Sequence, residues 1–122
     1  MINLLKQLKE EMQDKGYICE IENDVEIYPN VLIQPISETI TFDNLGNAKS
    51  KKIEFYFSVF KDKSDYENDV VVVGEVVNIA FNILKEKDIL NIERCNINFE
   101  EIKEQLLVAA KARFTINLYK WR

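Results

Sequence analysis

The chain has 122 residues, 47% of them hydrophobic, which fits one domain with a single core over residues 1–122. A net charge of −5 argues against broad nucleic-acid binding, which usually needs a basic surface, and we expect no sequence-specific nucleic-acid partner. The sequence has no histidine, so Ser-His and Cys-His nucleophile pairs are excluded. Its three glycines are scattered and form no phosphate-binding motif.

The first ten residues carry charges among their leucines, unlike the uninterrupted apolar core of a signal peptide. The longest strongly apolar run, 70–73, is far too short to cross a bilayer, so we expect no membrane partner. Cys19 and Cys95 lie in apolar, strand-like runs. We expect both to be buried, reduced thiols, because a lone disulfide is uncommon in a domain that is not secreted and two thiols cannot build a zinc site without histidine.

Residues 2–15 are predicted to form an amphipathic helix that ends at Gly16. Five apolar side chains share one stripe of this helix: Ile2, Leu4, Leu5, Leu8 and Met12. Two strand-like runs follow, 17–22 and 25–28, separated by a turn at Asn23-Asp24. After Pro29-Asn30, a further strand is predicted over 31–36, ending at Pro35 because proline cannot donate to a strand ladder.

Residues 38–42 and 51–60 are predicted to form the two strands of a hairpin, with a turn over 43–47. In the second strand, Phe55, Phe57 and Val59 share one face, while Tyr56, Ser58 and Phe60 share the other. Both faces carry large apolar groups, so this strand is expected to be covered on both sides. The cover is expected to be a neighbouring subunit, and the competing explanation is a helix that packs across the outer face.

A helix capped by Asn68 or Asp69 is predicted to run to about Lys87, although Val70–Val73 and Gly74 leave a short strand as the alternative. Its buried side chains are expected to be Val73, Val76, Val77, Ala80, Phe81 and Leu84. A strand over 92–99, a turn or short helix over 100–104, and a long alternating strand over 106–121 complete the chain. The fold class is therefore α+β, with an antiparallel or mixed sheet, two helices packed on it, and an α-β-β-β-β-α-β-β order.

Alternation in the last strand makes opposite demands on its two faces. Phe114, Ile116 and Leu118 should face the core, whereas Arg113, Thr115 and Asn117 should face solvent or a partner. The hairpin tip collects lysines in an otherwise acidic chain, and loops on rigid scaffolds often carry recognition. These observations give a set of candidate contacts with another subunit or a partner: Lys49, Lys51, Lys52, Phe55, Phe57 and Arg113.

Carboxylates are the remaining candidates for chemistry. Four of them recur at every second position and would share one face of an unbroken strand, but a solvated face is the expected explanation: Glu20, Glu22, Asp24 and Glu26. The loop acids Asp62, Asp65, Glu67 and Asp69 are expected to be solvated or capping residues. The triplet Glu101-Ile102-Lys103, with Asp88 upstream, fits an element of metal-dependent nucleases, yet a chain this rich in Glu and Lys contains such a triplet by chance. No metal or cofactor is predicted.

Four segments, placed in order around the two predicted helices, resemble the phage tail terminator (tail completion) proteins of long-tailed phages and phage-like particles. They are Tyr28–Ile36, Asp43–Asn47, the aromatic run Phe55–Val59 and the closing Ala112–Tyr119. The likeness covers most of the chain in pattern and order, without a catalytic signature. Val70–Val73 and Gly74 depart from the amphipathic helix expected at that place.

The resemblance implies structural work without enzyme activity or a cofactor. Proteins of this family form a ring, commonly six-fold, on the last ring of tail tube subunits, where they stop tube growth and offer a docking surface to the head connector protein. The implied location is the virion, at the tail end or collar, after assembly in the host cytoplasm. A small metal-dependent nuclease or other carboxylate enzyme, and a generic protein-interaction module, are the alternatives.

Overall fold

The computed structural model describes residues 1–21, 30–87 and 90–118. The helices are α1 (Ile2–Asp14) and α2 (Tyr66–Lys85). The strands, in chain order, are β1 (Cys19–Ile21), β2 (Val31–Phe42), β3 (Ala48–Asp62), β4 (Leu90–Ile102) and β5 (Leu107–Leu118). A 3₁₀ turn at Lys103–Gln105 joins β4 to β5. The predicted turn at 23–24, the predicted strand at 25–28 and the predicted end of the last strand at 119–121 lie outside the described residues.

The strands form one mixed sheet in the order β1-β2-β3-β5-β4, which confirms the predicted α+β class. Strand β1 runs parallel to β2, and every other neighbouring pair is antiparallel. Three described strands separate the helices: the predicted strands 31–36 and 38–42 are one strand, and the predicted strand 25–28 lies outside the described residues. Strand β2 continues through a bulge between Pro35 and Ser37. Proline is tolerated at bulges and on edges, and Pro35 lies at the bulge, beyond the three residues of β2 that pair with β1.

Both helices pack on the same face of the sheet. Leu5, Leu8 and Met12 of α1 are fully buried there, as are Val73 and Leu84 of α2. The sheet contributes its alternate side chains to the same cluster, including Ile33, Ile53, Phe55, Phe57 and Phe114. The competing explanation was a helix that packs across the other face of the sheet, which carries Tyr56, Ser58 and Phe60. Neither α1 nor α2 does so.

Helix α2 includes Val70–Val73, which settles the strand alternative in favour of the helix. It begins earlier than predicted, after the N-cap residue Asp65, and it ends at Lys85. Asp69 is therefore not the cap but a buried residue within the first turns. The predicted core side chains of this helix are buried, except that Phe81 is half-buried. Among the described residues, no helix has the length and apolarity that crossing a membrane requires.

Strand β5 follows the predicted alternation closely. One set of its side chains is buried beneath the helices: Val108, Ala110, Ala112, Phe114, Ile116 and Leu118. On the opposite face, Arg113 is exposed, but Ala109 is 1% exposed and Thr115, which lies between Glu54 and Arg94 of the paired strands, is 9% exposed. The strand begins at Leu107, since Leu106 adopts a left-handed backbone with φ of +54° at the preceding turn. Strand β4 in turn reaches Ile102, so the connection is shorter than predicted.

Candidate interaction surfaces

The outer half of the β2–β3 hairpin reaches past most of the helix cover, although Met1 at the start of α1 contacts Glu38, and Lys51 still pairs with Leu118, the last described residue of β5. We call residues 36–52, which are the outer half of β2, the turn and the start of β3, the hairpin arm. Four apolar side chains on it are exposed: Ile36, Ile40, Phe42 at 60% and Leu45 at 86%. The hydrophobic effect favours removing such side chains from water, and their concentration on one projecting element makes the arm a candidate contact surface.

The tip of the arm is a preformed turn built on Asp43. Its Oδ1 atom accepts hydrogen bonds from the backbone N–H groups of Leu45 and Asn47, both at 2.9 Å. The Asp43 N–H in turn donates to the Asn47 carbonyl oxygen at 2.8 Å. Gly46 has φ of +82°, a backbone conformation that other residues adopt only with strain. The Leu45 side chain is thus held outward by a turn that is complete without a partner.

The three candidate lysines of the arm have different surroundings. Lys51 forms an ion pair with Glu38, and Lys52 Nζ lies 3.2 Å from the Glu93 carboxylate of β4. Lys49 is exposed and forms no ion pair with any described residue. The lysines therefore do not form one patch, and of the three only Lys49 has no ion pair with a described residue.

Phe55 and Phe57 lie inside the domain. Both are fully buried, and their rings pack on Phe114, with centroid distances of 5.2 Å for Phe55 (stacked) and 6.4 Å for Phe57 (edge-on). Their prediction as interface residues is wrong for this fold, because the strand face that carries them is the one the helices cover. They are core residues, and no partner can reach them without displacing a helix.

The opposite face of the sheet is covered by charged side chains instead of a described helix. The guanidinium of Arg113 lies 2.5 Å from the Glu54 carboxylate, and this hydrogen bond raises the Arg113 pKa. Lys111 Nζ lies 4.1 Å from the centroid of the Tyr56 ring, a cation–π distance. Tyr56 is one of the residues from which we expected this face to be covered by another element, and Lys111 of the same chain partly covers it. Arg113 is exposed but paired with Glu54.

Glu93 anchors the same network near β4. It accepts a hydrogen bond from Asn117 at 2.9 Å and pairs with Lys52, and these two contacts, in that order, lower the Glu93 pKa. Arg94, Asn96 and Thr115 lie beside it around a polar cleft of about 400 Å³. The charged side chains around this cleft are largely paired with one another. This face is more polar than the arm, and it is therefore less suited to an apolar contact.

Asp69 forms a second polar cluster, where β3 meets the start of α2. Its carboxylate accepts hydrogen bonds from Lys61 Nζ at 2.6 Å, and from the Ser64 N–H and Ser64 Oγ–H, both at 2.8 Å. Lys61 and then the Ser64 N–H lower the Asp69 pKa to about 2. The carboxylate is 1% exposed. These contacts fix the connection between β3 and α2, a role that sequence reasoning missed because Asp69 was assigned to a cap.

The other carboxylates have simple surroundings. Glu20 is exposed and lies 3.5 Å from Lys9 Nζ, while residues 22, 24 and 26 lie outside the described residues. Glu101 pairs with Lys63 rather than with Lys103, and residue 88 is also outside the described part. Within residues 1–21, 30–87 and 90–118, no three Cys, Asp or Glu side chains are placed to hold a metal ion.

The two cysteines lie on opposite edges of the sheet, in β1 and β4, and four strand spacings separate these strands by about 19 Å across the sheet. This is too far for a disulfide, and both cysteines are reduced, as predicted. Cys19 is fully buried, and burial raises the pKa of its thiol to about 12. Cys95 is half-buried, and burial raises its pKa as well.

The sheet edges carry features that oppose pairing with another strand. Strand β4 is an edge strand with a bulge between Ile92 and Arg94, and β2 has its own bulge beside Pro35. Bulges, charged side chains and proline are the devices by which edge strands avoid edge-to-edge association. A contact with another protein is therefore better made by side chains of the arm than by the strand edges.

At the far end of β3 from the arm lies a groove of about 550 Å³, which we call the end groove. It lies between the end of α1, the first half of α2 and the ends of the strands. Its lining is Gly16, Tyr17, Asn30, Val59, Phe60, Lys61, Asp62, Val72, Val73, Val76 and Leu107. The groove is open and mainly apolar, with its charged side chains at the end of β3.

We compared the sequence with models of known protein families and with curated proteins, and neither comparison found a match.

Proposed function

We propose that this protein is a structural virion protein that forms a ring of six copies on the end of a phage or phage-like tail tube. In this role it stops tube growth and offers a docking surface to the head connector protein. The observation that carries the proposal is the hairpin arm, on which four apolar side chains are exposed in the described structure and offer a surface for contact. The sequence resemblance to tail terminator proteins supplies the kind of partner.

The division of the molecule supports this role. A buried core holds the sheet rigid beneath two helices, while the arm projects from it with a preformed tip. A rigid body with a projecting contact element suits a ring subunit, because each subunit must present one surface to a neighbour and other surfaces to the tube and the connector. The proposed function involves no catalytic step and no cofactor, and it places the protein at the tail end or collar after assembly in the host cytoplasm.

The test is to mix the protein with the tail tube protein of the same phage or particle and to examine the tubes by electron microscopy. We expect tubes of defined length with a ring of several copies at one end, whereas the protein alone need not form a closed ring. A single copy per tube end, or tubes that are neither bound nor shortened, would contradict the proposal. Magnesium-dependent cleavage of DNA by the purified protein would instead favour the nuclease alternative.

A further inference from the structure

We propose that the tip of the hairpin arm inserts into the end groove of a second copy of this chain, with Lys49 of one copy paired with Asp62 of the other. This inference rests on the proposed ring and specifies how its subunits join. Phe42 and Leu45 supply the apolar contact, and Val72 and Val76 line the surface that receives them.

The arm cannot reach the groove of its own chain. The tip precedes Ala48, at the start of β3, and the groove lies around Val59–Asp62, at the end of that strand. A strand of 15 residues is about 45 Å long at about 3.3 Å per residue. Because a paired strand in a sheet is stiff, the two surfaces stay apart, and only a second molecule can bring them together.

The two surfaces match in chemistry. Leu45 and Phe42 are the most exposed apolar side chains of the arm, and Val72 in the groove is 43% exposed. In the described structure Asp62 is exposed and its carboxylate forms no ion pair, so it matches the unpaired charge of Lys49. The other charged side chain in the groove, Lys61, is bound to Asp69 and so adds little repulsion.

The surroundings extend this complementarity. The segments that flank the groove, 62–69 and 100–104, contain seven carboxylates and two lysines. The arm contains three lysines and two carboxylates. Opposite charges on two surfaces favour encounter in one orientation and oppose contacts between two arms or two grooves.

A contact between two different surfaces leaves one arm and one groove unused in every pair. Such a heterologous contact repeats from copy to copy, and it ends only when the rotation between copies closes a ring. The proposed joint therefore provides a physical basis for the ring, since a contact between two identical surfaces would stop at a dimer.

The experiment is a charge swap measured by sedimentation of the purified protein from about 10 µM to about 1 mM, a range that detects weak, transient contacts. We expect the wild-type protein to self-associate. Lys49→Asp and Asp62→Lys should each weaken association about tenfold. The double variant should recover most of it, as should an equal mixture of the two single variants, in which alternating copies pair opposite charges at every contact. Lys6→Asp and Glu10→Lys on the exposed face of α1 are the matched controls and should have no effect.

All four positions are exposed, so unchanged circular dichroism and thermal midpoints will show that the variants fold. A wild-type protein that stays monomeric over the whole range, or a double variant that recovers nothing, overturns the proposed contact. If rings on tubes form despite Lys49→Asp, the contact fails while the proposed function stands. If the charge swap recovers association but the wild type makes open fibres and ignores the tube, the contact stands and the proposed function fails.

Discussion

The inner and outer halves of the β2–β3 hairpin differ in what their apolar residues do. In the inner half, Ile33 and Phe57 are paired across the strands and fully buried beneath the helices. In the outer half, which is the arm, Ile40 and Phe42 of the same strand as Ile33 remain exposed. The comparison teaches that one continuous hairpin serves two purposes here: its inner half stabilises the fold, and its outer half is available for contact.

The largest effect should follow from truncating the core beside the inner half. Phe114→Ala removes a fully buried ring that stacks on Phe55, and we expect a loss of about 3–5 kcal/mol in the free energy of unfolding. The measurement is chemical denaturation. Thr115→Ala on the opposite face is the matched control and should cost no more than about 1 kcal/mol. Equal losses at the two positions would mean that the faces of β5 have been misassigned.

A smaller, pH-dependent effect is expected at Asp69, which ties the end of β3 to α2. Its pKa of about 2 in the folded protein lies below the value of about 3.9 in an unfolded chain, so the ionised form stabilises the fold above about pH 4. This contribution is lost as the pH falls towards 2. Asp69→Asn should therefore lower the free energy of unfolding at pH 7, and the difference from wild type should shrink between pH 4 and pH 2.

Denaturation curves at several pH values measure this difference. Glu67→Gln is the control, because Glu67 is an exposed acid in the same part of the helix. A gap between Asp69→Asn and wild type that stays constant from pH 7 to pH 2 would show that the carboxylate's charge is not what stabilises this junction.

The turn of the arm should respond more weakly still. Gly46→Ala has space for the added methyl group but must hold φ near +82°, which costs about 1 kcal/mol. We expect this loss in the free energy of unfolding, together with weaker self-association because the tip is distorted. Sedimentation and denaturation of the same preparation measure both. Gly46→Asn, a residue that tolerates this conformation better, should fall between Ala and wild type.

The smallest effect on folding is expected at Leu45, although the effect on assembly should be clear. Leu45→Ser changes a side chain that is 86% exposed, so the free energy of unfolding should stay within about 0.5 kcal/mol of wild type. Self-association should fall, because the apolar contact of the tip is lost. Val71→Ser, at an exposed position of α2 outside the groove lining, is the control for removing an exposed apolar group. A marked loss of stability in Leu45→Ser would show that the arm belongs to the folded core.

Local patterns predicted much of the fold. The period of two in β5 and the stripe of α1 each fix which side chains share a face. Burial confirms the core face of β5 and three residues of the α1 stripe (Leu5, Leu8 and Met12), whereas Ile2 is 48% exposed and Thr115, expected to face solvent, is only 9% exposed. Period alone does not say which face meets a helix, and this is why Phe55 and Phe57 were assigned to an interface. The period also does not show which strands pair with one another, because the parallel pairing of β1 with β2 depends on tertiary packing.

The candidate site was less predictable. The lysines of the arm were visible in the sequence. Only the structure shows that Lys51 and Lys52 form ion pairs with residues of other strands and that Lys49 forms none with a described residue. Strand β2 likewise continues past Pro35 through a bulge, whereas the local sequence pattern predicted that the strand ends there. The end groove brings together residues that follow α1, residues of α2 and the ends of β3 and β5, so no single segment signals it.

The Asp43-centred turn also affects the rate at which the arm can bind and the conformational entropy that it loses on binding. A tip that became ordered only on contact would lose about 1–2 kcal/mol of backbone entropy for each residue it fixed. Residues 43–47 already hold their hydrogen bonds before any partner arrives. Association through this tip therefore approaches the docking of two rigid bodies, whose rate is set by diffusion and orientation rather than by folding of the loop.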